Sequence, residues 1–327
     1  MEKFIFFKEE SRRHYTNTRA GETKFGERLS LISSFEELKN HAAQYIVFGI
    51  PEDVGIRANF GKPGAKTAWD SFLSSFLNIQ VNQYNTPENC LILGHIDCSK
   101  IIAEAERLAK EAFKVEEKLG DLVQFIDGIV TQVVQKIVAV GKIPIIIGGG
   151  HNNAYGNIKG TSLALKKPIN VLNIDAHTDL RRTDYRHSGN GFSYAKKEGY
   201  LEKYSMFGIH KNYTPQYIFD EVEKDEKINI CLFEDLIKGG KSNQLEEFQK
   251  ETQFLEQTYG LEIDCDAIEN FSSSAMTPSG FEINQIRNFI KISGNQKIHY
   301  LHLCEANADE NPQIGKALSY FVSDFIR

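Results

Sequence analysis

Four short runs of branched apolar residues each end in an acid or a histidine. Pro144-Ile145-Ile146-Ile147 passes through Gly148-Gly149-Gly150 into His151. Val171-Leu172-Asn173-Ile174 meets Asp175, with His177 and Asp179 just beyond. Leu261-Glu262-Ile263 meets Asp264 and then Asp266, and the run from Ile298 to Leu303 passes Cys304 into Glu305. Such runs, followed by helical periods, read as parallel strands of an α/β sheet. Ligands of such sheets bind beyond the carboxyl ends of the strands. The pattern therefore predicts that these distant side chains meet in one crevice.

The rest of the chain agrees with that class. Strands are expected at Tyr45 to Ile50, Cys90 to Gly94, Tyr204 to Ile209 and Ile228 to Phe233. Helices are expected at Ala65 to Leu77, Lys100 to Lys118, Asp121 to Val140, Pro215 to Val222, Gln244 to Gln257, Glu282 to Ile292 and Gly315 to Ile326. Leu122, Ile126, Ile129, Val133 and Ile137 follow the ~3.6-residue period of a half-buried helix. Alternation of this kind predicts a three-layer α/β/α fold with a mostly parallel central sheet. No linker or repeat divides residues 1–327, so one domain is expected, with residues 1–44 as an irregular leader containing a short helix near Phe35 to Lys39. The glycine-rich stretch from Glu52 to Lys66 reads as a loop.

Composition excludes several classes. A net charge of −6, without a basic tail or aromatic–basic interleaving, argues against nucleic acid as a partner. No apolar stretch reads as a membrane span, and no secretory signal is visible at Met1-Glu2-Lys3-Phe4. Five cysteines without paired spacing suggest reduced thiols and a cytoplasmic location. Cys265 and Cys304, beside the acids, read as small apolar fillers.

Asp175-Ala176-His177-Thr178-Asp179 places ligand-type side chains at alternate positions, which in an extended strand end share one direction. Asp264-Cys265-Asp266 repeats the device. With His151 the set holds two histidines and four carboxylates. Crowded buried carboxylates resist ionisation unless cations neutralise them. Mixed imidazole and carboxylate ligation suits manganese, cobalt, nickel or zinc. Two such ions roughly 3.5–4 Å apart activate water for hydrolysis at a trigonal carbon or at phosphorus. Taken singly, each motif has a bland reading: a helix cap or surface turn for Asp175 to Asp179, and a phosphate-binding turn for His151. None of these explains why all three stand at strand ends.

Gly148-Gly149-Gly150-His151, Asp175-Ala176-His177-Thr178-Asp179 and Glu262-Ile263-Asp264-Cys265-Asp266 resemble the three signatures of the ureohydrolase superfamily, which includes arginase, agmatinase and formimidoylglutamase. The resemblance runs from Phe48-Gly49-Ile50-Pro51-Glu52-Asp53 through Gly61 to Ala65 and on to Glu305-Ala306-Asn307. It implies an arginase-like fold with two Mn2+ per chain, other divalent metals being possible. One ion would be held by His151, Asp175, Asp179 and Asp264, the other by Asp175, His177, Asp264 and Asp266. Asp175 and Asp264 would bridge, Asp179 would also handle a proton, and Glu305 would grip the planar nitrogens of the substrate. Three positions depart from the pattern. Gly150 stands where an aspartate is usual, Glu262 where a serine is usual, and Glu269-Asn270 where Asp-Pro is usual.

The segment after Asp179 bears on the substrate. Ser188 and Asn190 match an arginase stretch that binds the amino-acid end, but Phe192 stands where arginase has a proton-shuttling histidine. Asp179-Leu180-Arg181 and the Ser-Gly-x-x-Phe spacing look more like formimidoylglutamase. His187 is a substitute candidate for a catalytic histidine, or it packs or caps. Arg181, Arg182, Arg186 and Arg57 fall in loops near the expected site, and arginine forks suit carboxylates. Arg181 and Arg57 are the leading substrate contacts; the alternative is that most of these arginines pair with Asp184 and Glu52 at the surface. The expected reaction is cleavage of a linear amidine, N-formimidoyl-L-glutamate giving L-glutamate and formamide. Alternatives are an arginase-type guanidino hydrolase releasing urea and a catalytically silent binding or assembly protein. The partner is then an amino-acid-derived small molecule, and the resemblance implies a homo-oligomer, trimer or hexamer.

Overall fold

The computed structural model describes residues 3–110, 114–309 and 311–327. Its strands, in chain order, are β1 (Phe4–Phe6), β2 (Tyr45–Gly49), β3 (Cys90–Ile96), β4 (Ile143–Ile147), β5 (Ile169–Ile174), β6 (Leu201–Ile209), β7 (Ile228–Leu232), β8 (Thr258–Asp264) and β9 (Lys297–Cys304). They form one nine-stranded sheet in the order β1-β3-β2-β4-β9-β8-β5-β6-β7. Among these pairings, β1 on β3 is antiparallel and the rest are parallel. Parallel neighbours need crossovers, which helices provide. Asn153–Leu165 links β4 to β5, and Ile283–Gly294 links β8 to β9.

Successive strand residues point to opposite faces, and both faces are covered. Ile145 and Ile147 pack with Phe72, Phe289 and Phe321 in one layer. Ile146 between them packs with Val130, Ile137 and Ile158 in the other. This is the three-layer α/β/α architecture that the alternating strand and helix signals imply.

Several boundaries differ from the sequence expectation. The leader holds β1, a helix at Glu9–Tyr15, a short one at Phe25–Arg28 and a 3-10 turn at Glu36–Asn40, so it is less irregular than its composition suggests. Phe4 is buried and packs edge-on against Phe6 and Phe35, which anchors the edge strand. The expected helix from Lys100 to Lys118 ends as Ser99–Leu108, and the next begins at Val115; residues 111–113 lie outside the described residues. Within the Glu52 to Lys66 segment, Val54–Ala58 is helical. Asn153–Leu165 was hidden by its polar and glycine-containing sequence. A Cβ on Gly160 would lie 2.6 Å from the Thr131 carbonyl oxygen, so glycine permits the close approach to the helix Val115–Ala139. That 25-residue helix is long and apolar enough to cross a membrane. Its buried face, including Val123, Ile126, Val130 and Ile137, is part of the core.

The four strands that carry the acid and histidine ends, β4, β9, β8 and β5, are consecutive in the middle of the sheet. Their carboxyl ends therefore open onto one place.

Candidate metal centre

The site is assembled by turns. After β4 the chain reverses through Gly148 and Gly149, at φ +85 and +78. At Gly149 a Cβ would stand 2.3 Å from the Asn153 amide nitrogen. Glu52, wholly buried, ties this loop down: it accepts from the backbone N–H of Val54 at 2.6 Å and of Gly150 at 3.0 Å, and from the Asn153 amide at 2.6 Å. Nothing local in the sequence marks Glu52 for that role, because Gly150 lies 98 positions away.

The two Asp-x-ligand motifs share one device. Asp175 Oδ1 accepts from the N–H of His177 at 2.7 Å, and Asp264 Oδ1 from that of Asp266 at 2.7 Å. Each is an Asx turn. Residues 175–179 thus lie beyond the end of β5, with a bend at Ala176 and His177, and not in the extended strand end expected from their alternate spacing. Asp179 and Glu305 both sit in the left-handed region, at φ +51 and +61. That conformation costs roughly 1–2 kcal/mol for a residue with a Cβ. Strain held at two residues of one cleft is a mark of a functional site.

The side chains converge. His151 Nδ1 lies 2.8 Å from Asp179 Oδ2, 3.0 Å from Asp264 Oδ2 and 3.2 Å from Asp175 Oδ2. His177 Nδ1 lies 3.5 Å from Asp175 Oδ1 and 3.8 Å from Asp266 Oδ2. Asp266 is steadied by the Ala275 N–H at 3.0 Å. Both ring nitrogens of His151 are buried without a hydrogen-bond partner.

Electrostatics describe a cluster short of positive charge. Burial, then the neighbouring Asp175 charge, pushes Asp264 well above the usual carboxylate range, and burial likewise raises Asp179 and Asp266. Burial opposes charge on the histidines, but the surrounding anions outweigh it. His151 is raised well above its ordinary value, and His177 to about 9. Protons on the two imidazoles stand in for cations. An unpartnered buried nitrogen among three carboxylates fits a hard-to-borderline divalent ion better than a structural zinc, which would draw thiolates.

A cavity of about 170 Å³ opens on this cluster. Its floor includes His177, Asp179, Asp264, Asp266 and Glu305, and its walls include Asn59, Arg181, Ser188 and Tyr213. Glu305 accepts from the His151 N–H at 2.6 Å through Oε1, while its Oε2 is buried and unpartnered. Burial, then the Asp266 charge, raises Glu305 to about 8.

A sequence model of the arginase family matches residues 43–319. The chain belongs to the arginase family. It is 26% identical over 267 residues to a formimidoylglutamase of Macrococcus caseolyticus, covering 80% of this chain and 77% of that one. Its fold is similar to that of the Bacillus subtilis formimidoylglutamase, with TM-score 0.75, 16% identity and coverage of 98% and 95% of the two chains. It is also similar to the Trypanosoma cruzi formiminoglutamase with Mn2+, with TM-score 0.70, 18% identity and coverage of 93% and 97%.

This arginase-family chain divides the remaining sequence candidates. Arg181 and Ser188 line the cavity, joined through Asn59, which donates to Ser188 Oγ at 3.1 Å and accepts from Arg181 at 3.3 Å. Arg57 does not line it; its guanidinium turns to Asp53 at 2.7 Å and Glu106 at 3.7 Å. Asn190 is spent on its own loop, accepting from Arg186 at 2.5 Å and donating to the Tyr185 carbonyl at 2.8 Å. His187 also faces its loop: Nδ1 accepts from the Gly189 N–H at 3.1 Å, and burial pushes the ring down to about 4. Arg186 is buried against Asp127 at 2.8 Å, and Arg182 lies over the Tyr217 ring. Phe192 stands behind the centre, edge-on to His151 at 5.1 Å and stacked on Tyr204 at 4.4 Å. Asn59 and Tyr213, which sequence reasoning missed, offer no motif; Tyr213 stacks on His177 at 5.2 Å.

Proposed function

We propose that this chain is a dimanganese hydrolase that converts N-formimidoyl-L-glutamate and water into L-glutamate and formamide. The observation that carries this reading is that Glu305 and Arg181 both line one small cavity. Glu305 presents an unpartnered buried oxygen, which suits the parallel N–H donors of an amidine. Arg181 presents a cation on the outer wall, which suits a carboxylate and disfavours an aminoalkyl substrate.

His151, Asp175, Asp179 and Asp264 would hold one ion, and Asp175, His177, Asp264 and Asp266 the other. Such a pair, when bound, acidifies water and supplies the nucleophile at neutral pH. The residues of the chain do the rest. Glu305 orients the formimidoyl group, and Arg181, with Asn59 and Ser188, holds a carboxylate away from the reacting carbon. Asp179 takes the proton released from water and passes it to the departing nitrogen. In balance, the oxygen of water bonds to the formimidoyl carbon, the bond from that carbon to the glutamate nitrogen breaks, and the glutamate amine leaves protonated.

The test is a panel of formimidoyl and guanidino compounds given to the purified, manganese-loaded protein. Formamide and glutamate released from formimidoylglutamate at the highest kcat/KM are expected. Faster urea release from arginine would replace this reading with an arginase-type one. No turnover of any member would make the chain a silent member of its family.

A further inference from the structure

One departure from the family pattern remains unused by the chemistry above: Glu262, where serine is usual. It is wholly buried, as is His302. The two are direct partners across β8 and β9. His302 Nδ1 lies 2.5 Å from Glu262 Oε2, and His302 Nε2 lies 3.3 Å from the Gly148 carbonyl oxygen at the start of the metal-binding loop. On its other side, Glu262 Oε2 lies 3.6 Å from His151 Nε2, just outside hydrogen-bond reach. Glu262 Oε1 and His151 Nε2 are both buried without a partner. So His151 stands between two carboxylate environments, Nδ1 toward Asp175, Asp179 and Asp264, and Nε2 toward Glu262.

A buried carboxylate with no role is costly and survives only when paired. His302 supplies the pair at Oε2, and that same oxygen is the one that lies 3.6 Å from the unpartnered Nε2 of His151. Metal-binding histidines commonly donate their second N–H to a carboxylate, which fixes the tautomer and raises ligand basicity. We propose that Glu262, held by His302, is a positioning residue that takes the Nε2–H of His151, commits Nδ1 to the metal, and thereby sets the affinity of the centre. This inference rests on the metal-centre reading.

The test is manganese titration by calorimetry of wild type, Glu262→Gln, His302→Gln and the double variant, with thermal melting to verify folding. Glu262→Gln is expected to weaken binding of the His151 ion about 10- to 100-fold with two ions still bound. His302→Gln, which keeps a donor toward Glu262, is expected to lose less, and the two changes are expected to be non-additive. If Glu262→Gln does not fold, His302→Gln carries the comparison. A second readout is the ring N–H proton of His151 in 15N-histidine-labelled, zinc-loaded protein. It is expected at low field in wild type and at higher field in Glu262→Gln. Wild-type affinity in both single variants, or an additional ion held by His151, Glu262 and Cys304, would overturn the proposal while leaving the metal centre standing. Absence of metal binding by the wild type would instead sink the metal-centre reading, and this one with it.

Discussion

At the scale of single residues, Glu305 and Arg181 carry the substrate assignment. Glu305 lines the cavity, keeps one oxygen on the His151 N–H and leaves the other buried without a partner. A neutral amide there keeps the shape and loses the charge-assisted contacts, worth about 1.5–3 kcal/mol. Glu305→Gln is therefore expected to lower kcat/KM for formimidoylglutamate about 10- to 100-fold, with two metals still bound by elemental analysis. Arg181→Ala is expected to raise KM for that substrate about 10-fold or more and to leave kcat nearly unchanged, because it removes binding common to ground and transition states. Arg57→Ala is the internal comparison: its guanidinium faces Asp53 and Glu106, so the kinetics should stay close to wild type. An Arg57 effect larger than that of Arg181 would reverse the assignment.

At the scale of elements, the loop between β4 and the helix Asn153–Leu165 places His151, and Glu52 from the loop after β2 holds it. Removing Glu52 strands the N–H groups of Val54 and Gly150 and the Asn153 amide in the interior. Buried donors left unpaired cost about 1–3 kcal/mol each. Glu52→Ala is expected to lower stability to urea by about 3 kcal/mol or more and to reduce manganese affinity together with it. Unchanged stability would show that other groups hold the loop. The apolar strands and the longer helices could be read from local periodicity, because an apolar period reports which side of an element meets the core. Asn153–Leu165 could not, since its glycines and polar residues are selected by the helix it lies against. The turn at Asp175 to His177 was likewise hidden: alternate spacing fits an extended strand and an Asx turn equally well.

At the scale of the whole molecule, the centre makes stability depend on pH and metal together. In the metal-free chain, burial raises Asp179, Asp264, Asp266 and Glu305, the last to about 8, and the acids raise His151 and His177, the latter to about 9. At these six groups the folded state holds more protons than the unfolded one from roughly pH 4 up to about pH 9. His187 and His299, both pushed down to about 4 by burial, hold fewer below about pH 6.5. The contribution of the centre to stability falls as pH rises through that window, and the two histidines offset part of it only at the acid end. Asp175 and Glu262, held low by the neighbouring imidazoles despite burial, contribute stability across it and lose it only at more acid pH. Manganese, on the proposed reading, would bind the deprotonated set, so its stabilisation would grow with pH. Melting temperatures near pH 5 and pH 8.5 are expected to fall for the metal-free protein, with the gain on adding manganese larger at the higher pH. A metal-free midpoint that rises over this range would contradict the reading. The class of fold and the ligand types were open to inspection in the linear chain, because apolar period and donor chemistry are properties of adjacent residues. The order of the strands, the pairing of Glu262 with a histidine 40 positions away, and the selection of Arg181 over Arg57 came from packing. Contacts between distant segments are settled by which faces can be buried together, and no short window of sequence holds that information.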